Sequence, residues 1–166
     1  MEIYLMQHGP ALPKDRDPEE GLNPEGEARI HASGQALKKM GVAFDAIFSS
    51  PKKRSKQTAA IVAQEVGFPL EKIIETPKVK AMTPPEETIQ ALSGLSGAKR
   101  VLIAGHLPSV AEVASFLLTQ GTKAAVQFEM GGCCRIDVDE LPTHSGRLRW
   151  YLIPDQLKLI ATSVEV

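Results

Sequence analysis

The sequence predicts an α/β protein: a three-layer α/β/α sandwich around a mainly parallel sheet, with antiparallel edge strands. Three observations carry that expectation. Short apolar runs alternate with helical segments until about residue 120, the order that builds parallel strands covered by helices. The most hydrophobic run, "RVLIAGH" at 100–106, lacks polar alternation, as a strand buried on both faces should. The last third reads as two strands joined by a turn, which adds antiparallel pairing.

The elements follow in order. "EIYLM" at 2–6 is a short buried strand. A loop rich in Pro, Gly and charge follows, too long for a simple connection and therefore expected to be functional. Asn23 has the chemistry of a helix N-cap and Pro24 that of a first helical position. That helix runs through Ile30, Ala36 and Leu37 and stops at Gly41. "FDAIFSS" at 44–50 is a second strand, and Pro51 is expected to open a second helix with the stripe Ala59, Ile61, Val62 and Val66.

"KIIETPKV" reads as a third, shorter strand, and a short helix begins at Pro84 or Pro85. The apolar strand at 100–106 is expected at the centre of the sheet, with "PSVAEVASFLLTQG" as the helix after it. "GGCCRIDVDE" and "GRLRWYLIP" are the two closing strands, joined through "LPTHSG". The ending "DQLKLIATSVEV" reads as a tail or edge segment. No internal repeat or low-complexity stretch is visible.

With 166 residues, 43% of them hydrophobic and 23% charged, the chain is expected to form one globular domain over 1–166 with a core that needs no staples. A net charge of -1 gives no electrostatic case for nucleic acid or an anionic membrane as partner. No apolar segment approaches the ~18 residues of a membrane span, and the N-terminus does not resemble a signal peptide. A cytoplasmic location is the default. The two cysteines, Cys133 and Cys134, are adjacent and imply neither a disulfide framework nor a metal site; two small side chains on opposite faces of a strand is the simplest reading. His31 and His144 are expected at the surface, and Trp150 and Tyr151 against the sheet.

In such sheets, ligands bind beyond the carboxyl ends of the strands. Past the first strand stand Gln7, His8 and Gly9. Past the second stand Ser49-Ser50-Pro51-Lys52-Lys53-Arg54, and past the central one Gly105-His106-Leu107-Pro108. Two histidines and an arginine thus converge on one edge beside two helix N-termini. That edge suits a tetrahedral anion: helix ends supply N–H donors and Arg54 a bidentate fork. A neutral imidazole at His8 is a competent nucleophile toward phosphorus, and His106 could stabilise the equatorial oxygens of the transferring group. Singly, each element is weak; their joint arrival at three strand ends carries the reading.

These residues resemble a known family, the histidine phosphatases (phosphoglycerate mutase-like), and within it the SixA-type phosphohistidine phosphatases. "YLMQHGPA" is similar to the family's Arg-His-Gly strand end except at its first position. "LNPEG" at 22–26 matches the helix start, "SPKKRSKQTA" at 50–59 the Ser-Pro-x-x-Arg-x-x-Gln-Thr-Ala segment, and "GHLP" at 105–108 the second histidine. The resemblance implies His8 as the phosphorylated nucleophile. Gln7, Gly9, Arg54 and His106 would join it in a phosphate pocket that needs no cofactor and no metal. The substrate would be a phosphohistidine-bearing protein or a small phosphoester, and a monomer is the default state. The short segment between the third strand and the next helix suggests an open, shallow site, suited to a phosphohistidine on a protein surface.

One position departs from the pattern: Gln7 stands where the family has arginine. A neutral amide donates N–H bonds but cannot fork a phosphate as guanidinium does. The loss of one charged donor at a developing oxyanion commonly costs about a hundredfold in rate. The enzyme could work slowly with Gln7, another cation such as Arg16 or Arg29 could reach in, or the domain could keep only phosphoprotein binding. Glu86 and Glu87 are the carboxylates that the resemblance puts forward as general acid. Two solvated glutamates complementing the helix dipole is the plainer alternative; Asp15 and Asp17 are weaker candidates.

Overall fold

The computed structural model of the protein describes residues 1–164. Its sheet has six strands, β1 (Glu2–Gln7), β2 (Ala46–Ser49), β3 (Ile74–Glu75), β4 (Arg100–Gly105), β5 (Cys133–Asp137) and β6 (Arg147–Leu152), in the order β3-β2-β4-β1-β5-β6. The first four run parallel; β5 pairs antiparallel with β1, and β6 with β5.

Five helices cover the sheet: α1 (Pro24–Lys39), α2 (Lys53–Val66), α3 (Pro85–Ser93), α4 (Ser109–Leu118) and α5 (Pro154–Thr162). Strand alternation divides the core in two. Ile3, Leu5, Val101 and Ile103 point toward Leu92 of α3 and Leu117 of α4, whereas Tyr4, Met6, Leu102 and Ala104 meet Leu37 of α1, Ala59 of α2 and Leu157 of α5. The result is the α/β/α sandwich that the alternation of elements predicts. Cys133 joins the second cluster and Cys134 the first, so the two thiols do face opposite ways.

Local chemistry explains the helix starts. The Asn23 Oδ1 accepts a hydrogen bond from the Gly26 N–H at 2.7 Å, with Pro24 in the first turn. Gly41, at φ +74°, ends α1 in the left-handed region. Three boundaries differ from the sequence reading. The segment 72–79 keeps only the two residues of β3, because Pro77 has no N–H to continue a ladder and the chain turns into a 3-10 helix at Pro77–Val79. Helix α2 starts at Lys53, two residues after Pro51, because Lys52 is extended.

The ending is neither tail nor edge but a helix: Pro154 opens α5, Gln156 Oε1 accepts from the Ile153 N–H, and Leu157 is buried. Residues 165–166 lie outside the described part. His144 is half-buried, its Nδ1 2.6 Å from the Phe116 carbonyl oxygen. His31 is exposed beside Glu65, Trp150 packs edge-on against Tyr4, and Tyr151 against Phe128. Among the described residues no helix is long and apolar enough to cross a membrane.

Two glycines let the first loop reach the sheet. A Cβ on Gly26 would overlap the Pro10 carbonyl oxygen, and one on Gly9 would stand 2.9 Å from Ile30 Cγ1. Gly26→Ala must therefore push the 9–12 segment away from α1. We expect a loss of about 2 kcal/mol in urea denaturation, the usual cost of overpacking, whereas Gly94→Ala, with no atom closer than 3.4 Å, should cost less than half of that.

Candidate active site

The register of the parallel strands brings the predicted residues together. Gln7 pairs with Gly105, and the His8 N–H donates to the Gly105 carbonyl at 2.9 Å, so the histidines that follow β1 and β4 become neighbours. Their ring centroids lie 5.0 Å apart. The first turn of α2 places Arg54 beside them, with Nε donating to His8 Nε2 at 3.2 Å.

His8 is held in one tautomer. Its Nδ1 lies 2.7 Å from the Gly9 carbonyl oxygen, which can only accept, so Nδ1 carries the proton and Nε2 the lone pair that Arg54 meets. The Gly9 N–H is itself taken by Thr58 Oγ1 at 3.2 Å, and Thr58 donates onward to the Arg54 carbonyl. Gly9 thus acts through His8; its amide is not free to bind an anion.

His106 is buried, its Nε2 2.6 Å from Ser50 Oγ. That hydroxyl accepts from the Lys52 N–H, and among the described residues its own proton has no acceptor but His106 Nε2. The His106 Nδ1–H is then a buried donor, and no protein atom among the described residues accepts from it. The side-chain oxygen of Gln7 is likewise buried without a partner. Turning the amide over would present its NH2 at the same place. Two buried polar groups without partners, on adjacent strand ends next to His8, are what a site for a polar ligand requires.

Electrostatics keep both rings neutral. Burial pushes the His106 pKa down to about 3, helped by the cations Arg54 and Lys52 and by the repulsion that a protonated His8 would exert. His8 is lowered by burial and by Arg54, against the opposing pull of the Gly9 carbonyl. Lys52 is a cation that sequence reasoning passed over. Arg16 is exposed in the first loop, and Arg29 is engaged by Glu25 and the Met130 carbonyl.

An open cavity of about 410 Å³ lies over His8 and Arg54, walled by Pro10, Ala11, Leu12, Pro13, Glu20 and Met130. A larger cleft of about 540 Å³ flanks the outer side of α2, but neither His8 nor His106 lines it. Glu86 and Glu87 are exposed in the first turn of α3 and line neither space. The carboxylate that does face the cavity is Glu20, 3.6 Å from Arg54 Nη1.

The loop carrying Glu20 is tied to α2. Asp17 accepts from Lys53 Nζ and from the Gly21 N–H, and Gln57 Oε1 accepts from the Leu22 N–H at 2.7 Å. The Lys53 hydrogen bond, with those from the backbone, draws the Asp17 carboxyl down to about 2. Sequence spacing does not find these partners, because they lie some thirty-five residues apart. Among the described residues no group of three or more His, Cys, Asp or Glu side chains could hold a metal ion.

Comparison with known proteins adds to this geometry. Residues 3–79, which include His8 and Arg54, match the sequence model of the Histidine phosphatase superfamily (branch 1). An uncharacterised protein of Picosynechococcus is 38% identical over 66 residues, and a 2,3-bisphosphoglycerate-dependent phosphoglycerate mutase of Methylobacterium 41% identical over 54. These matches cover 38% and 32% of this chain and span only 40% and 25% of the relatives' own lengths. The fold is similar to that of the protein histidine phosphatase SixA solved with tungstate, with a TM-score of 0.84 and 24% identity over 95% of this chain and 100% of that one.

The depressed imidazoles make a testable statement about pH. The unfolded chain takes up protons on both rings near pH 6.5, while the folded protein resists them. The stability they contribute is present above pH 6.5 and is lost as pH falls toward about 3 for His106. NMR titration of the ring nitrogens should show the His8 midpoint below 6.5 and His106 neutral well below that. A His106 midpoint at or above 6.5 would contradict the burial argument.

Proposed function

We propose that the chain is a histidine phosphatase, as the family match over residues 3–79 supports, and that it works through a covalent phosphohistidine on His8, with a protein-borne phosphohistidine as donor. The observation that carries this reading is the state of His8. Its Nδ1–H is locked on the Gly9 carbonyl, and its Nε2 lone pair is aimed at Arg54 beside an open cavity.

In the first step the Nε2 lone pair forms a bond to phosphorus while the donor's N–P bond breaks, its electron pair returning to the donor ring. Arg54 shifts its N–H donors from Nε2 to the phosphoryl oxygens. The His106 Nδ1–H and the Gln7 amide, turned to present NH2, supply neutral donors, with Lys52 adding positive potential nearby. In the second step water attacks phosphorus and the bond to His8 breaks, its electron pair returning to Nε2 while the protons of the water stay on the inorganic phosphate that is released. Tungstate, present in the SixA structure, is a tetrahedral oxyanion of the same kind as phosphate, which supports a phosphoryl pocket here.

The shape of the cavity supports this donor class. Its walls of Pro10, Ala11, Leu12, Pro13 and Met130 offer few side chains that could hold sugar hydroxyls, and it is open to solvent. An imidazole presented from a protein surface fits such a mouth better than a small polyhydroxy metabolite does.

Phosphate release from a phosphohistidine carrier protein and from a simple aryl phosphate tests the reading. His8→Ala should abolish release, and Arg54→Ala should lower kcat/KM by about a hundredfold. Gln7→Arg should raise turnover of the aryl ester by up to about tenfold. An inert wild type whose Gln7→Arg variant turns over would instead make this a binding module switched off at one position, and equal kcat/KM for the two donors would make it a broad phosphomonoesterase.

A further inference from the structure

Resting on the phosphatase reading, we propose that Glu20 is a specificity-determining residue. Its carboxylate selects N-phosphoryl donors, whose ring carries a positive charge when protonated on its far nitrogen, over O-phosphoryl esters, which carry no such charge.

Glu20 is held where a chain rarely stays. Its φ of +52° makes it the one non-glycine residue in the left-handed region among those described. The Asp17 carbonyl accepts from its N–H at 2.9 Å, and the Lys53 and Gln57 contacts anchor the loop on either side. Such an arrangement fixes the backbone so that the side chain meets Arg54 over the cavity. The Glu20 side chain is 35% exposed against 21% for Arg54, so Glu20 is the more solvent-accessible member of the pair. Glu20 lines the same open cavity as His8 and Arg54, so a group leaving from phosphorus into that cavity passes the carboxylate.

The charge inventory gives this position its meaning. Gln7 brings no charge, both imidazoles are neutral, and Arg54 is the cation in contact with His8. A carboxylate beside that cation lowers the affinity of the site for an ester dianion, because two anions are then held close together. It has the opposite effect on a phosphoimidazole protonated on its far ring nitrogen. The phosphoryl oxygens take Arg54, and the N–H of the cationic ring takes Glu20, so each charge gains a partner.

Holding the proton there also matters for the chemistry. When the N–P bond breaks, its electron pair returns to a ring that already bears a proton on its other nitrogen, and neutral imidazole leaves. No further acid is consumed, and the phosphoryl group passes to His8 with atoms and charge balanced. With an alkyl or aryl ester the leaving oxygen offers Glu20 no N–H, and the repulsion remains.

The test compares phosphoimidazole with phenyl phosphate in wild type, Glu20→Gln and Glu20→Asp. Glu20→Gln should lower kcat/KM for phosphoimidazole by about tenfold or more, and leave phenyl phosphate unchanged or raised. Glu20→Asp, which restores the charge, should recover part of the preference. A parallel change with both donors, or no change with either, overturns the proposal.

Binding of both intact donors to His8→Ala and to His8→Ala/Glu20→Gln, by calorimetry, reads the same selectivity without turnover. Loss of the preference for phosphoimidazole in the double variant is expected, and an unchanged preference overturns the proposal. A wild type inert toward both donors would defeat the phosphatase reading alone, since the binding arm still decides the role of Glu20.

Discussion

The site depends on the register of β1 against β4. Pairing Gln7 with Gly105 sets His8 and His106 side by side on adjacent strand ends, and the hydrogen bond from the His8 N–H to Gly105 carries the ladder one residue past β1. A slip of one residue would turn Tyr4 and Met6 into the wrong core layer and point His8 away from the cavity. The buried apolar faces of both strands therefore fix the geometry of the site as firmly as any contact within it. The hydroxyls of Ser50, Ser55 and Thr58 then tie the first turn of α2 to the same strand ends: Ser55 Oγ donates to the Ala104 carbonyl and accepts from the Ser50 N–H.

This frame carries an unusual balance of charge. A site for phosphoryl transfer ordinarily gathers cations, yet here the residue before His8 is an amide, and a glutamate faces the arginine. Both features lower the positive potential at the cavity. The neutral rings follow from burial rather than from any acidic partner, so the proposed nucleophile, His8, would need no general base. It is already unprotonated on Nε2, and the Gly9 carbonyl decides which nitrogen that is. The Arg54 contact occupies the Nε2 lone pair, and in the proposed reaction phosphoryl oxygens would compete for the same donors.

Much of this was legible in the sequence, and the reasons for the exceptions are physical. Residues next to strand ends were found because topology delivers them: His8, Arg54 and His106 each follow a recognisable strand, and the parallel order leaves them one edge to share. Asn23 and Pro24 announced α1 through local chemistry alone. Helix α5 was missed although Pro154, Leu157 and Ile160 have helical spacing, because its apolar stripe is narrow and its burial comes from packing along α1. Glu20 could not be found by spacing. Its place rests on Asp17, Lys53 and Gln57, side chains that meet only after the loop has folded onto α2, whereas Glu86 and Glu87, attractive by resemblance, remain on the exposed face of α3.

The central claim is that the Nε2 atom of His8 becomes the phosphoryl carrier, and the most direct measurement is to locate that group. Wild-type protein mixed with phosphoimidazole, quenched at alkaline pH where N-phosphoryl bonds survive, would be examined by 31P NMR and by tandem mass spectrometry of its peptides. The account predicts a single phosphorylated histidine, His8, substituted on Nε2 because Nδ1–H is held by the Gly9 carbonyl. A phosphoryl group on Nδ1, on His106 or on a hydroxyl such as Ser50, or phosphate release with no phosphorylated residue at any time point, would contradict it.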